Sequence, residues 1–213
     1  MIGDDDVAAV SGSGDQALYE KALDGLAPLA QGIASIGIAG GLAPALRVGQ
    51  WVVADRVIAD GRSIETDNRW TACIADRLDA TRGAFLGHNA VVATAPEKAA
   101  LHRATGALAV DMESHIAVRV AQRHRLPFVA ARVICDPANR SLPPAAQIGM
   151  KQDGGMNLLG VFGSVLGRPI QVPALIAVAL DAERAFNSLL RGRRRLGAGL
   201  GFPDLDKLAL DVP

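Results

Sequence analysis

What this chain lacks narrows it quickly. Among 213 residues there are two cysteines, Cys73 and Cys135, far apart and in no paired spacing. Neither a disulfide scaffold nor a zinc site is expected, and a reducing compartment suits such usage. An excess of one charge is missing too. Lys+Arg and Asp+Glu number 22 each, so the overall balance signals no basic face for nucleic acid. No apolar run reaches the roughly 18 residues that a membrane helix needs. The opening Met1-Ile2-Gly3-Asp4-Asp5-Asp6 is acidic and does not read as a signal peptide, so the expected location is the cytoplasm. Aromatics make up 4% of the chain, while half of it is hydrophobic and rich in Ala, Val, Leu and Ile. That composition fits a parallel sheet covered by Ala-rich helices.

The patterning agrees. Val7–Ser11 reads as a short first strand, followed by a helix from Gln16 to about Ala27 with Leu18, Ala22 and Leu26 on one face. Further buried strands are expected over Ile33–Ala39, Trp51–Ala59, Ala84–Val92, Ala107–Asp111 and Pro127–Ile134. A helix begins at Met112, with Met112, Ile116 and Val120 on one face and Arg119, Gln122 and Arg123 on another. Helices are also expected over Met156–Gly167 and Pro173–Leu190, the second with Leu175, Val178 and Phe186 inward. Strands that alternate with helices and read as continuous apolar runs indicate an α/β fold. One domain is expected over residues 1–190, followed by a basic, Gly-rich tail over 191–213 that opens on Arg191-Gly192-Arg193-Arg194-Arg195.

Parallel α/β sheets bind ligands at the carboxyl ends of their strands. Three such ends carry chemistry. Gly37-Ile38-Ala39-Gly40-Gly41-Leu42 offers glycines that let a backbone approach a ligand closely. Val110-Asp111-Met112-Glu113-Ser114 and Ile134-Cys135-Asp136-Pro137 each end a strand on carboxylates, joined through one helix, which puts them on one edge of the sheet. Taken alone, Asp111 is as well explained as an N-cap, Glu113 as a charge at the positive helix end, and Asp136 as a turn residue.

Together these segments resemble the methylthioadenosine/S-adenosylhomocysteine nucleosidases and purine nucleoside phosphorylases. The likeness rests on Ile36–Leu42 with Gly49-Gln50-Trp51-Val52-Val53, on Val110–Ser114, and on Pro127–Asp136. Asp60-Gly61-Arg62, Ala93-Thr94-Ala95-Pro96-Glu97-Lys98, Asp111–His115 and Leu142-Pro143-Pro144 are similar to the hopanoid-associated phosphorylase branch. The resemblance implies a three-layer α/β sandwich with a mixed, mainly parallel sheet. The match starts at what looks like the family's second strand, so the first strand of that sheet is expected to be missing. It also implies cleavage of the N-glycosidic bond of a purine nucleoside, with adenine released from adenosylhopane, a nucleoside-bearing lipid.

On the same resemblance, Glu113 holds the ribose hydroxyls and Asp136 protonates the leaving base. Met112 packs on the sugar, and Ala39, Gly40, the backbone around Val91 and Val92, and Asp111 complete the substrate contacts. No metal or organic cofactor is implied. Inorganic phosphate is an optional co-substrate: Ser35 and Ile38 stand where phosphorylases that bind phosphate carry an arginine and a serine, so water and phosphate both stay open as nucleophile. A homodimer is implied, and a lipid substrate would bring transient contact with a membrane surface. The alternatives are a weakly active nucleoside- or lipid-binding protein of the same fold, or a methylthioadenosine/S-adenosylhomocysteine nucleosidase.

Rival motifs are thin. Gly12-Ser13-Gly14-Asp15-Gln16-Ala17 fits a loose dinucleotide pattern, but no acidic residue stands about 20 positions on, where the ribose contact would fall. There is no Walker loop and no nucleophile elbow. The four histidines, His88, His102, His115 and His124, form no metal spacing, and His115 is expected on a helix surface.

Overall fold

The computed structural model describes residues 7–11, 15–144 and 172–202. Its elements run α1 (Gln16–Leu26), β1 (Ile33–Gly41), β2 (Trp51–Ala59), β3 (Arg62–Glu65), α2 (Asn68–Leu78), β4 (Thr81–Gly87), α3 (Ala95–Thr105), β5 (Ala109–Asp111), α4 (Ser114–His124), β6 (Phe128–Asp136) and α5 (Val172–Leu196). The helix expected over Met156–Gly167, the glycines of the loose dinucleotide pattern and residues 203–213 lie outside the described residues.

The strand order is β3-β2-β4-β5-β1-β6, and β2 also pairs with β6, so the sheet curls back on itself. The long ladders, β1 with β6 and β2 with β4, are parallel, whereas β1–β5, β2–β3 and β2–β6 are antiparallel. This is the expected mixed α/β sheet flanked by helices. Period-2 alternation splits each strand between two cores. On β6, Phe128, Ala130 and Ile134 join a cluster with Ala117, Val118, Val120 and Ala121 of α4. Val129, Ala131 and Val133 face the other way, toward Trp70, Ile74 and Leu78 of α2 and Ala185 and Leu196 of α5. Arg132 falls on the α4 side of this alternation, and it is buried.

Several expectations are corrected. Val7–Ser11 forms no strand and instead lines a cavity beside β1. The buried face of α1 is Tyr19 with Leu23 and Ala27, one residue on from the expected stripe, and Leu18 is 61% exposed. Strand β4 ends at Gly87 rather than Val92, because the His88 amide turns to the Asp111 carbonyl and the next residues close a turn on the His88 ring. Helices α2 and α3 and strand β3 were not anticipated. Asp67 caps α2 through the Trp70 amide and Thr94 caps α3 through the Glu97 amide, so both starts follow ordinary N-cap chemistry.

On α5, Phe186 is 50% exposed rather than inward, and the buried positions are Asp181, Ala185, Ser188, Gly192 and Leu196. Helix α5 runs on to Leu196, whose carbonyl accepts from Arg77, and Phe202 packs edge-on against Trp70 with ring centroids 4.8 Å apart. The reason lies at Gly192. A Cβ there would stand 2.3 Å from Trp51 Cζ2, so the missing side chain lets the helix seat flat on the indole.

His115 is also corrected: it is 2% exposed, not on the helix surface. Its ring lies where a Cβ on Gly87 would be, at 2.1 Å from His115 Cβ, and its Nε2 meets Asn89 Oδ1 at 2.9 Å. Burial pushes the imidazole below its usual value.

Two outcomes follow. Gly192→Ala overpacks the Trp51 contact and is expected to cost about 1–3 kcal/mol, read as a drop in Tm of about 2–4 °C per kcal/mol. Because the folded state holds His115 neutral, its contribution is present above the unfolded pKa of about 6.5 and is lost as pH falls below it. Urea midpoints are therefore expected to fall less between pH 8 and pH 5 in His115→Gln than in the parent chain.

Candidate active site

The ends of three strands meet at one edge. Gly40 on β1 is opposite Val110 on β5 and Asp136 on β6, so Asp111 and Asp136 flank the same glycine-rich strand end. A Cβ at Gly40 would lie 3.2 Å from Asp136 Oδ1, so any side chain at position 40 would press on that oxygen.

Below this edge sits a buried charged cluster. Arg132 reaches from β6 to β1, where Nη1 donates to the Ser35 carbonyl at 2.6 Å and Nη2 to the Ser35 hydroxyl at 2.8 Å. Its Nη2 also stands 2.6 Å from Asp111 Oδ2. The other oxygen of Asp111 accepts from the Ser114 amide at 3.1 Å and the Ser114 hydroxyl at 2.5 Å. Asp111 thus caps α4 and neutralises Arg132. Oδ1 is taken by Ser114 and Oδ2 faces the Arg132 guanidinium inside the protein.

Glu113 follows at the start of α4, its Oε2 3.9 Å from Arg132 Nη2 and its side chain 42% exposed. Desolvation by the surrounding walls pushes its carboxyl up, Arg132 partly offsets this, and Asp111 adds to the rise. Tyr19 of α1 completes the group through a hydrogen bond with Ser35, and burial raises its phenol.

A cavity of about 740 Å³ opens on this cluster. Its polar end holds Tyr19, Ser35, Glu113 and Arg132, and its other walls include Leu23, Leu26, Leu29, Phe186 and Leu189. The volume lies within the roughly 300–1,000 Å³ of small-molecule sites.

Asp136 lies beyond this cavity at the strand ends, its side chain 15% exposed. Lys98 Nζ, fully buried on α3, contacts Asp136 Oδ2 directly. Cys135 lies beside it, Sγ 3.4 Å from Asp136 Oδ1 and 3.4 Å from the Ala39 carbonyl. Burial and the Asp136 charge push its thiol far up, so it behaves as a small polar filler rather than a nucleophile.

Of the remaining expected residues, Ala39 is buried and Gly40 and Met112 are partly exposed near the edge. Val92 is buried in a cluster with Leu42 and Leu86, and Val91 is exposed, so any contact there would be made by the backbone, as expected of these positions. Among the described residues no group of His, Cys, Asp and Glu could hold a metal ion.

Sequence reasoning missed Arg132, Lys98, Ser35 and Tyr19 as partners in the cluster. Arg132 had a signal: one arginine inside Phe128-Val129-Ala130-Ala131-Arg132-Val133-Ile134 must find counter-charges where it is buried. Lys98 had a weaker one. A cation in the first turn of a helix opposes the helix dipole, which makes a special partner worth seeking.

With this geometry in view, comparison with known proteins is specific. The family description of the phosphorylase superfamily matches residues 26–154. The methylthioadenosine/S-adenosylhomocysteine nucleosidase of S. pneumoniae, solved with a transition-state inhibitor, is 20% identical with a TM-score of 0.58 over 83% of this chain and 76% of its own. The S-adenosylhomocysteine nucleosidase of Streptococcus pyogenes, in complex with 5-methylthiotubericidin, is 19% identical with a TM-score of 0.57 over 83% of this chain and 74% of its own. The Helicobacter pylori nucleosidase is 20% identical with a TM-score of 0.53 over 58% of this chain, and the match spans 64% of the Helicobacter chain. These likenesses establish a shared fold, and the family match establishes descent: the chain belongs to the phosphorylase superfamily.

Proposed function

We propose that this protein cleaves the N-glycosidic bond of an adenine nucleoside bearing an apolar 5′ substituent, with adenosylhopane as the leading candidate, and that water is the nucleophile. The observation that carries the reading is the cavity: a carboxylate-bearing end at Glu113 next to an apolar wall, with Asp136 at the adjoining strand ends.

Glu113 accepts hydrogen bonds from the ribose hydroxyls. These bonds are charge-assisted, and they strengthen as positive charge grows on the sugar. Asp136 meets the purine and gives a proton to its nitrogen as the C1′–N9 bond breaks, the bonding pair leaving with the base. Water then adds at C1′ and releases a proton to solvent. Water is favoured over phosphate by charge. Arg132 is neutralised by Asp111, so Arg132, Asp111 and Glu113 together leave the polar end with an excess negative charge. A phosphate dianion there would meet a carboxylate rather than a free guanidinium. The apolar arm formed by Leu23, Leu26, Leu29, Phe186 and Leu189 suits a large hydrocarbon at the 5′ position.

A second reading has its own support. The solved relatives named above are methylthioadenosine/S-adenosylhomocysteine nucleosidases, whose fold this chain shares, so a small 5′-thioether nucleoside is the competing substrate. The expected homodimer belongs to both readings.

Adenine release from adenosines with 5′-hydroxyl, 5′-methylthio and 5′-hydrocarbon groups, with and without phosphate, tests this. The hydrocarbon substrate is expected to give the highest kcat/KM, without phosphate dependence. Best turnover of the methylthio compound would move the assignment to the second reading, and nucleoside binding without release would make the protein a binder. Asp136→Asn is expected to lower kcat by about 10²–10⁴-fold, the range a general acid supplies.

A pH series checks Glu113. Its carboxyl sits above the ordinary value of 4.5 and must be ionised to accept both hydroxyls. Substrate affinity is therefore expected to fall on acidification at a pH above that value, and Glu113→Gln should abolish this acid limb. An unchanged limb in the variant would remove Glu113 from the role.

A further inference from the structure

Asp136 stands on a loop that is gripped from two sides. From α3, all three protons of the Lys98 ammonium meet oxygens: Asp136 Oδ2, the Pro137 carbonyl at 3.1 Å and the Arg140 carbonyl at 3.0 Å. Lys98 is 0% exposed. A buried ammonium in the first turn of a helix is doubly unfavourable unless it is fully paired, and these three oxygens supply the pairing. From α5, the buried Asp181 takes the Arg140 guanidinium through Oδ2, while Arg184 holds its Oδ1 at 3.1 Å. Residues 136–140 are thus fixed through the backbone and carboxylate on one side and through the Arg140 side chain on the other. Lys98 occupies Oδ2, whereas Oδ1 meets only the weak Cys135 thiol donor at 3.4 Å and is the oxygen nearer to position 40, where no Cβ covers it.

We propose that Lys98 and Asp181 are positioning residues that act through Asp136, making Oδ1 the atom that hands the proton to the leaving base. The inference rests on the reading of Asp136 as proton donor. In the step, the Asp136 Oδ1–H bond breaks and a base N–H bond forms while the C1′–N9 pair departs with the base. The carboxylate left behind lies against the Lys98 ammonium, which offsets the new charge. Solvent returns a proton to Asp136 after water has added to the sugar. Arg140 links the two halves of the clamp, since its carbonyl serves Lys98 and its side chain serves Asp181.

A double-mutant cycle on adenine release separates this role from mere structure. Lys98→Met is expected to lower kcat by about tenfold or more, within the span of a general acid, with a smaller change in KM. Added to Asp136→Asn it should cost nothing further, because both changes remove one function. Arg140→Gln loosens the same loop from a partly exposed position, and it serves if Lys98→Met fails to fold, as judged by circular dichroism and the thermal melt. Its loss should likewise vanish in the Asp136→Asn background.

A 4-nitrophenyl riboside with the same 5′ group gives a second readout, since its leaving group departs without a proton. Its cleavage should be nearly indifferent to Lys98→Met and Arg140→Gln. Losses that add to that of Asp136→Asn, or that fall equally on both substrates, would overturn the clamp while leaving the glycosidic reading intact. Failure of the unaltered protein to release adenine from any nucleoside would overturn the glycosidic reading, and the clamp with it.

Discussion

The buried contact between Arg132 and Asp111 is the constraint around which the rest is arranged. It joins the side chain of β6 to the end of β5 across β1, and it touches Ser35 on the way. Taking both charges out of water costs several kcal/mol per ion, so the pair is a poor source of net stability. What it supplies is definition. Asp111 pairs by charge with Arg132 through one oxygen and accepts from Ser114 on the other, which ties the start of α4 to the sheet and thereby sets where Glu113 emerges. Removing either charge would strand the other, at a cost of about 3–5 kcal/mol, whereas the cluster as built has a hydrogen-bond partner or counter-charge for most of its polar atoms.

The two carboxylates, Glu113 and Asp136, are treated differently by their surroundings. Glu113 faces a guanidinium already neutralised by Asp111 and stands 3.9 Å from it, so desolvation outweighs attraction and its carboxyl is pushed up. Asp136 is in direct contact with an ammonium whose remaining protons go to main-chain carbonyls, so that charge has no competing carboxylate. One arrangement suits a group that gathers hydroxyls from a sugar that turns positive. The other suits a group whose negative charge appears when it gives up a proton.

The strands were legible because their apolar runs are long and their ends carry punctuation. Trp51–Ala59 is observed as read, and β1 and β6 extend the expected runs by two residues at their ends. Helix α3 was not legible, since Ala95–Thr105 mixes charge and alanine without a clean stripe, whereas α2 does bury Trp70, Ile74 and Leu78 at i, i+4 and i+8 and was passed over because only three large apolar residues mark it. The reading of α5 failed for a related reason. Its inward face is built from Asp181, Ala185, Ser188 and Gly192, chosen for close approach and a buried ion pair rather than for hydrophobicity, so a search for apolar periodicity turned the helix the wrong way. At the candidate site, the strand-end motifs and the family resemblance pointed to Glu113 and Asp136. The cations that govern them were not, because Arg132 and Lys98 are remote in sequence from the groups they serve and only the sheet's pairing brings them together.

The glycines of β1 explain why these remote groups converge on so narrow an edge. Position 40 lies between Val110 and Asp136, with 3.4 Å from its would-be Cβ to Val110 Cγ1 and 3.2 Å to Asp136 Oδ1. A side chain there would have to displace one neighbour or the other. Without it, β1 leaves room for Glu113 at the start of α4 and Asp136 at the end of β6 to stand at the same end of the sheet. The sheet itself changes register between Ala39 and Gly40, so Asp136 rather than Cys135 comes opposite Gly40. Without that one-residue slip the thiol, not the carboxylate, would stand at the edge. The irregularity is therefore what converts an ordinary parallel ladder into a pair of strand ends that carry a carboxylate on each side of a glycine.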